Sequence, residues 1–491
     1  MRLDSYILLA LFGLALLGGS LQDGSDLAPA AYFGLALAVF YCARLMIGKP
    51  LSFSAMTIPS FFLLGYLFIL VLPAVLLLHT TQSEFRYYYL TALLLGLVCF
   101  PAGVWAADLG LRSGSPEQRQ GTDPHRIVRR EGDFRFILPF KLFLVISLLI
   151  LAAFWTLSEH IQLIDLLRGI PTSDNDRFEQ IYLPPSLQLL FEVARRVLLP
   201  ICALYAFFMN RLYGGKWKLI FIAVFALSFF VAVLTLDRSP PLGLLAMLAL
   251  AYFVANKGTG RVRWLIIAPI VILAMILGGI ISIFQYQSEH ISMDQVLATA
   301  WYVATERIFG SPFTMAIRAF ELFNDKTMFL NGEYIRLFSV LPGRVYVESI
   351  DGIGPQYAAA PVTFIGDLWR NWGWSGIIAG TFFFGYVFQA IHASLFNKAT
   401  IARATIYVLL LLGSLQLLHG NAFGIVSSSI IFGGWFLGLA ICHIEDSPAF
   451  TRAALSRYSR LFQTAHPMSE TAAFQDLRNA KPRERGTRSS R

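Results

Sequence analysis

The chain has 491 residues, of which 56% are hydrophobic and only 14% are charged, whereas soluble domains carry about 25% charged residues. Its apolar residues come in runs too long for a soluble chain to bury, so the composition excludes a soluble enzyme, a disordered chain and a secreted disulfide scaffold. The formal net charge of +9 does not indicate nucleic-acid binding, because the basic residues cluster between the apolar runs.

Runs of about 20 apolar residues, the length that crosses a ~30 Å hydrocarbon core, predict an all-α polytopic membrane protein with twelve spans. The predicted spans lie near 6–22, 27–47, 54–79, 87–110, 136–158, 187–209, 219–236, 241–255, 264–284, 372–396, 404–421 and 427–443. With the N-terminus in the cytoplasm, roughly two thirds of the Lys and Arg residues fall on the cytoplasmic side, so the positive-inside rule places both termini there.

The spans divide the chain into membrane regions, loops and a tail. In chain order these are 1–284 with spans one to nine, including a cytoplasmic loop at 111–135 and an outer loop at 159–186, then a large outer loop at 285–371, spans ten to twelve at 372–443, and a basic cytoplasmic tail at 444–491. The tail is interpreted as an orientation signal or a contact with anionic membrane lipids rather than as a nucleic-acid arm.

The large outer loop is predicted to fold, because apolar and aromatic residues recur throughout it. Ser311 and Pro312 predict the N-cap and first position of a helix with an apolar stripe. Two more helices are predicted over 293–309 and 333–340. A large folded loop on one side of a helical bundle is the region where function is expected, since loops on rigid scaffolds usually carry it.

Arginines are the candidate ligand-binding residues, because the planar guanidinium donates two parallel hydrogen bonds to phosphate. Arg195 and Arg196 lie in or at the outer edge of span six, after Glu192. Successive helical residues point ~100° apart, so the two are not expected to share one lining, and one of them is expected to pair with Glu192 or to reach the headgroups. The full candidate set is Arg177, Arg195, Arg196, Arg238, Arg318 and Arg344.

Two carboxylates are the candidate catalytic bases. Glu333 lies in the large loop and Asp367 lies just before span ten, and either could take a proton from an attacking hydroxyl. The alternative for each is a helix cap or a surface carboxylate. The aromatic stretch 369–374 is either a sugar-stacking surface or part of an interfacial aromatic belt. The four cysteines lie far apart in apolar spans, and neither a metal ligand set nor a cofactor is predicted.

Three short segments resemble the bacterial oligosaccharide repeat-unit polymerases, which include the O-antigen (Wzy-type) polymerases. The first runs from Gly332-Glu333-Tyr334 to Leu341-Pro342-Gly343-Arg344, with Gly343 separating the proline from the arginine. The second is 361–376 (PVTFIGDLWRNWGWSG), and the third is the short turn Asp237-Arg238-Ser239 before an apolar span.

The resemblance implies a fold similar to the GT-C class of membrane glycosyltransferases, in the bacterial inner membrane with the active site on the periplasmic side. It implies metal-independent, inverting glycosyl transfer between undecaprenyl-diphosphate-linked oligosaccharides. It also implies a chain-length regulator as a partner. In this interpretation the arginines stabilise the leaving diphosphate, and Glu333 or Asp367 orients or deprotonates the acceptor hydroxyl.

Two other functions stay open on the sequence. A polymer ligase uses the same lipid donor with a different acceptor. A lipid-linked glycan flippase needs charges along the whole depth of the membrane. Apart from Arg44 at the cytoplasmic end of span two, only Lys141, Arg195 and Arg196 are basic within the predicted spans.

Overall fold

The computed structural model describes residues 28–47, 57–77, 83–112, 136–158, 161–168, 185–235, 239–255, 298, 310–323, 363–396, 400–419 and 433–446. Within these ranges every regular element is a helix. The helices are α1 (Ala28–Ile47), α2 (Ile58–Leu76, with a π segment at Tyr66–Val71), α3 (Arg86–Arg112), α4 (Ile137–Leu157), α5 (Gln162–Leu167), α6 (Pro185–Val193), α7 (Leu199–Tyr213), α8 (Lys216–Val233), α9 (Ser239–Ala255), α10 (Ser311–Leu322), α11 (Phe364–Phe396), α12 (Ile401–His419) and α13 (Gly434–Asp446).

Six of the described helices are long and apolar enough to cross a membrane, namely α2, α3, α4, α8, α11 and α12. An apolar segment in lipid must satisfy its backbone groups internally, and a helix does so. The chain is therefore an all-α, multi-pass membrane protein. The total of twelve spans stays a prediction, because spans one and nine lie outside the described residues. The helix predicted over 333–340 and most of that predicted over 293–309 also lie outside them.

The closest helix pair is α3 with α11, and two glycines permit it. A Cβ at Gly103 would collide with the carbonyl oxygen of Phe382, and a Cβ at Gly385 would collide with the carbonyl oxygen of Phe100. Each helix thus presents a bare backbone to the other, as small residues do at membrane helix interfaces.

Replacing Gly103 with alanine is expected to lower the free energy of unfolding by about 1–3 kcal/mol, since the methyl group forces the two backbones apart. Gly110 is a matched control on the same helix, because a Cβ there meets no described atom within 4 Å. Gly110→Ala should leave stability unchanged or raise it by up to ~1 kcal/mol through helix propensity. Thermal unfolding of the purified variants in detergent measures both, and equal shifts would contradict the close packing.

α11 consists of two helical segments that fold back on each other at Gly373, whose φ of +57° suits glycine and strains other residues. Phe364 and Phe384 bring their ring centroids within 5.3 Å. On the same side, Cβ positions at Gly376 and Gly380 would meet Leu368. Residues 364–372 therefore run antiparallel to the beginning of the second segment, as a re-entrant helix.

The re-entrant helix differs from the expectation that these residues lead directly into span ten from an outer loop. Phe384 lies ten residues after Trp374, ~15 Å along a helix and about half of a ~30 Å hydrocarbon core. Because Phe364 packs level with Phe384, the first segment lies alongside the second one instead of preceding it in a loop. Its polar side chains are consequently buried in the bundle.

α10, from the large loop, packs onto this re-entrant helix. The Phe320 and Trp369 rings stack with centroids 4.2 Å apart, and Trp369 Nε1 donates to the Phe323 carbonyl at 2.5 Å. The helix was correctly expected after Ser311 and Pro312, but its N-cap is Gly310 with no side-chain cap bond. The predicted Ser311 cap is wrong because the helical backbone already includes Gly310, in a π turn.

The chain divides into two compact units, residues 1–439 and 440–491. The first contains all the helices up to α12 and the beginning of α13. In the second, the structure describes residues 440–446, which are helical.

Candidate functional site

Buried charged side chains form ion pairs at two places in the described part of the chain, and Asp165 and Arg403 are buried as well. We call the first the arginine cluster (Glu192, Arg195, Arg196 and Thr235) and the second the re-entrant cluster (Asp367, Arg370 and Asn371). Burying charge among apolar helices costs several kcal/mol per group unless partners compensate it, so such sites usually have a structural or functional reason.

In the arginine cluster one carboxylate holds two guanidinium groups. Arg195 donates from Nη2 to Oε1 of Glu192 and from Nε to Oε2 at 3.3 Å. Arg196 donates from Nε to Oε2 at 2.5 Å. Arg195 Nη1 also donates to Thr235 Oγ1, after the end of α8. These hydrogen bonds therefore connect the start of the sixth predicted span to the end of the seventh.

Helical spacing explains why both arginines contact the same carboxylate, because residues three and four positions apart are neighbours on a helix surface. Both arginines also lie in a π segment at Ala194–Leu198. Arg195 and Arg196 contact Glu192 from positions three and four residues later. Both arginines, rather than the single one expected, therefore pair with Glu192.

Two guanidinium groups share the single carboxylate of Glu192 in this cluster. The side chain of Arg195 is 3% exposed and that of Arg196 is 19% exposed. Apolar surroundings include the stacked rings of Phe154 and Phe191, whose centroids lie 3.9 Å apart. A guanidinium group in an apolar setting attracts an anion more strongly than one in water. Arg196, the more accessible of the two, is the group placed to meet such an anion.

The re-entrant cluster is neutral and nearly closed to solvent. Arg370 contacts Asp367 Oδ1 from Nε at 2.8 Å and from Nη2 at 2.7 Å. Asn371 Nδ2 donates to the backbone oxygen of Asp367 at 2.8 Å. Thr363 accepts from the Gly366 N–H at 3.2 Å and so caps the helix. All four of the polar residues Thr363, Asp367, Arg370 and Asn371 are buried.

Asp367, a candidate base, thus lies with its carboxylate against Arg370 and is 1% exposed. In this arrangement the carboxylate pairs with Arg370 within the re-entrant helix. A catalytic base, in contrast, needs an oxygen within reach of the acceptor hydroxyl. Sequence reasoning missed Arg370 and Asn371 as its partners. Their spacing of three and four residues from Asp367 was the available signal, but these residues were not expected to be helical.

The other candidates are distributed as follows. Arg318 lies on α10, where its side chain is 48% exposed and pairs with Glu321 at 3.1 Å. α10 packs against α3 and α11, whereas the arginine cluster lies among α4, α6, α7, α8 and α9. Arg238 follows Thr235 by three residues in sequence. The residues Glu333, Arg177, Arg238 and Arg344 lie outside the described residues, and their roles stay predictions.

The arginine cluster and the turn at Gly373 lie toward the same end of the bundle. Gly243, near the start of α9, faces Leu412, late in α12. Tyr407, earlier in α12, bonds to His392, late in α11, at 2.9 Å. α12 is therefore antiparallel to both helices, so the start of α9 and the turn at Gly373 lie at one end.

No family model, curated protein or solved structure matches the chain. The function therefore has to be argued from the arrangement of the residues themselves.

Proposed function

We propose that the protein is an inner-membrane glycosyltransferase that polymerises undecaprenyl-diphosphate-linked oligosaccharide repeat units on the periplasmic face. Both termini are cytoplasmic in this proposal, and the end of the bundle that holds the arginine cluster is periplasmic. The observation that carries the proposal is the buried arginine cluster, in which two guanidinium groups share the carboxylate of Glu192. The resemblance of 361–376 to the repeat-unit polymerases supports the same activity.

The chemistry needs a cation where the leaving group departs. The acceptor hydroxyl attacks the anomeric carbon of the donor, a new glycosidic C–O bond forms, and the bond from that carbon to the diphosphate oxygen breaks with inversion. The acceptor proton passes to a base, and the electron pair leaves on the diphosphate. Arg196, with Arg195 fixed behind it by Glu192 and Thr235, stabilises that developing charge.

Glu333 is the base that we favour, because Asp367 is occupied by Arg370. Asp367 then acts as a positioning residue that fixes the re-entrant helix. No metal is needed, since the guanidinium groups supply the charge stabilisation that a bound cation would otherwise provide.

The direct test uses the purified full-length protein in liposomes with its lipid-linked repeat unit. A ladder of products, each longer by one repeat, supports polymerisation. A single transfer to a different acceptor lipid would indicate a ligase, and movement of the lipid across the bilayer without new glycosidic bonds would indicate a flippase. Either result would overturn the proposal.

Replacing Arg238 or Arg344 with alanine is expected to abolish the ladder while protein levels in the membrane stay unchanged, because each removes a diphosphate ligand. Lys141→Ala is the control, since Lys141 is exposed near the start of α4, at the opposite end from the arginine cluster. Full-length ladders from both arginine variants would remove these residues from the site.

A further inference from the structure

A group of aromatic side chains covers the outer ends of α3 and of the second segment of α11. We call it the aromatic shelf and define it as Phe85, Arg86, Tyr87, Tyr88 and Trp374. Tyr87 is 56% exposed and Tyr88 is 49% exposed. The Tyr88 and Trp374 rings are stacked at 6.2 Å with 30° between their planes, and Phe85 lies 5.6 Å from Tyr88.

Contacts with buried aromatic residues hold Trp374 of the shelf in place. Trp374 follows the turn at Gly373 and contacts the edge of Trp369 at 5.0 Å. Trp369 is itself buried, stacked on Phe320 and hydrogen-bonded to Phe323. The exposed rings therefore rest on a rigid base, and a ligand that binds them does not bear the cost of ordering them.

Hydrogen-bonding groups lie among the rings. Arg86 Nη2 donates to the Tyr87 hydroxyl at 3.1 Å, and its guanidinium lies 4.9 Å from the centre of the Tyr87 ring. Ser375, directly after Trp374, is exposed. Flat apolar faces bordered by guanidinium and hydroxyl groups match a pyranose ring, whose C–H groups lie on one face and whose hydroxyls project from its edge.

We propose that the aromatic shelf binds the glycan of a lipid-linked substrate, as a stacking site for a pyranose oligosaccharide. This inference rests on the proposed function. It places the binding site for the glycan apart from the site that binds the diphosphate. The shelf lies on α3 and α11, whereas the arginine cluster lies on α6 and its neighbours. Both lie at the same end of the bundle, as a substrate with its diphosphate in the membrane and its sugars outside requires.

The main competing explanation is an interfacial aromatic belt, in which the rings contact only lipid headgroups. Trp155 distinguishes the two, because it is exposed near the same end of α4 but is not part of the shelf. A belt residue tolerates leucine, which keeps affinity for the membrane, whereas a sugar-stacking residue needs a flat aromatic face.

The experiment measures binding of the repeat-unit oligosaccharide, released from its lipid carrier by mild acid, to the full-length protein in nanodiscs by saturation-transfer NMR. Trp374→Leu and Tyr88→Leu are each expected to weaken binding about tenfold, and Trp155→Leu is expected to leave it unchanged. Trp374→Tyr should restore most of the affinity. Tyr87→Leu, at the most exposed ring, provides a further variant should Trp374→Leu fail to fold.

Two results would overturn the shelf. The first is unchanged oligosaccharide binding in Trp374→Leu and Tyr88→Leu; if Trp374→Leu does not fold, unchanged binding in Tyr87→Leu takes its place. The second is a loss of binding in Trp155→Leu as large as that in the shelf variants. The ladder assay is independent of these results. Oligosaccharide binding at the shelf without any ladder from the wild-type protein supports the shelf and contradicts polymerisation, whereas a ladder with no shelf dependence of binding contradicts the shelf alone.

Discussion

Arg370→Met is expected to lower the free energy of unfolding by about 3–5 kcal/mol, because it leaves the buried carboxylate of Asp367 without its cation. Both residues are 1% exposed, so water does not replace the lost contact. Asn371 still donates to Asp367, but a single amide does not neutralise a charge. Thermal and SDS-induced unfolding of the purified protein measure the loss.

The double variant Asp367→Leu with Arg370→Met is the informative control. It removes both charges, and replacing a buried ion pair with apolar side chains of similar volume is often neutral or stabilising. We therefore expect the double variant to recover most of the stability lost in Arg370→Met. A double variant no more stable than the single one would show that Arg370 contributes through packing rather than through its charge.

Arg196→Gln is expected to slow ladder formation by about 10²–10³-fold, the usual loss when one donor to a developing anion is removed. Glutamine retains a hydrogen-bonding group but lacks the positive charge of the guanidinium. Glu192 keeps Arg195 as its partner, so the protein should still fold. The initial rate at saturating lipid-linked substrate measures the effect.

Arg211→Gln is the control for this change. Arg211 lies near the C-terminal end of α7, where its guanidinium lies 5.9 Å from the Tyr252 ring centre, at the end of the helix away from the arginine cluster. The Arg211→Gln variant also removes one positive charge from this group of helices. It should leave the initial rate of ladder formation within about twofold of the wild-type rate. A comparable loss in both variants would point to net charge or folding instead of a local anion site.

Much of the helical layout follows from local sequence. α4 and α8 are apolar except for lysines near their beginnings, so hydropathy alone locates them. Ser311-Pro312 followed by an apolar stripe is enough to place α10. Such signals are local because backbone hydrogen bonding in lipid leaves an apolar run no other regular form.

The candidate site was less accessible from sequence. Arg195 and Arg196 were identified, but the contact of Arg195 with Thr235, 40 residues later, has no signal in the local sequence. The re-entrant helix was missed because its charged residues suggested a loop, and only the turn at Gly373 and the contact between Phe364 and Phe384 show that it folds back. Non-local contacts of this kind have no signature within a short window.

The turn at Gly373 also bears on how the protein is made. A nine-residue segment that carries Asp367 and Arg370 is too short and too polar to partition into lipid during synthesis. It must therefore dock after its neighbours are already inserted, once α3 and the second segment of α11 offer it a protein-lined cleft. Because Trp369 stacks on Phe320, the closing of this hairpin also brings α10, the helix of the large loop, against the bundle.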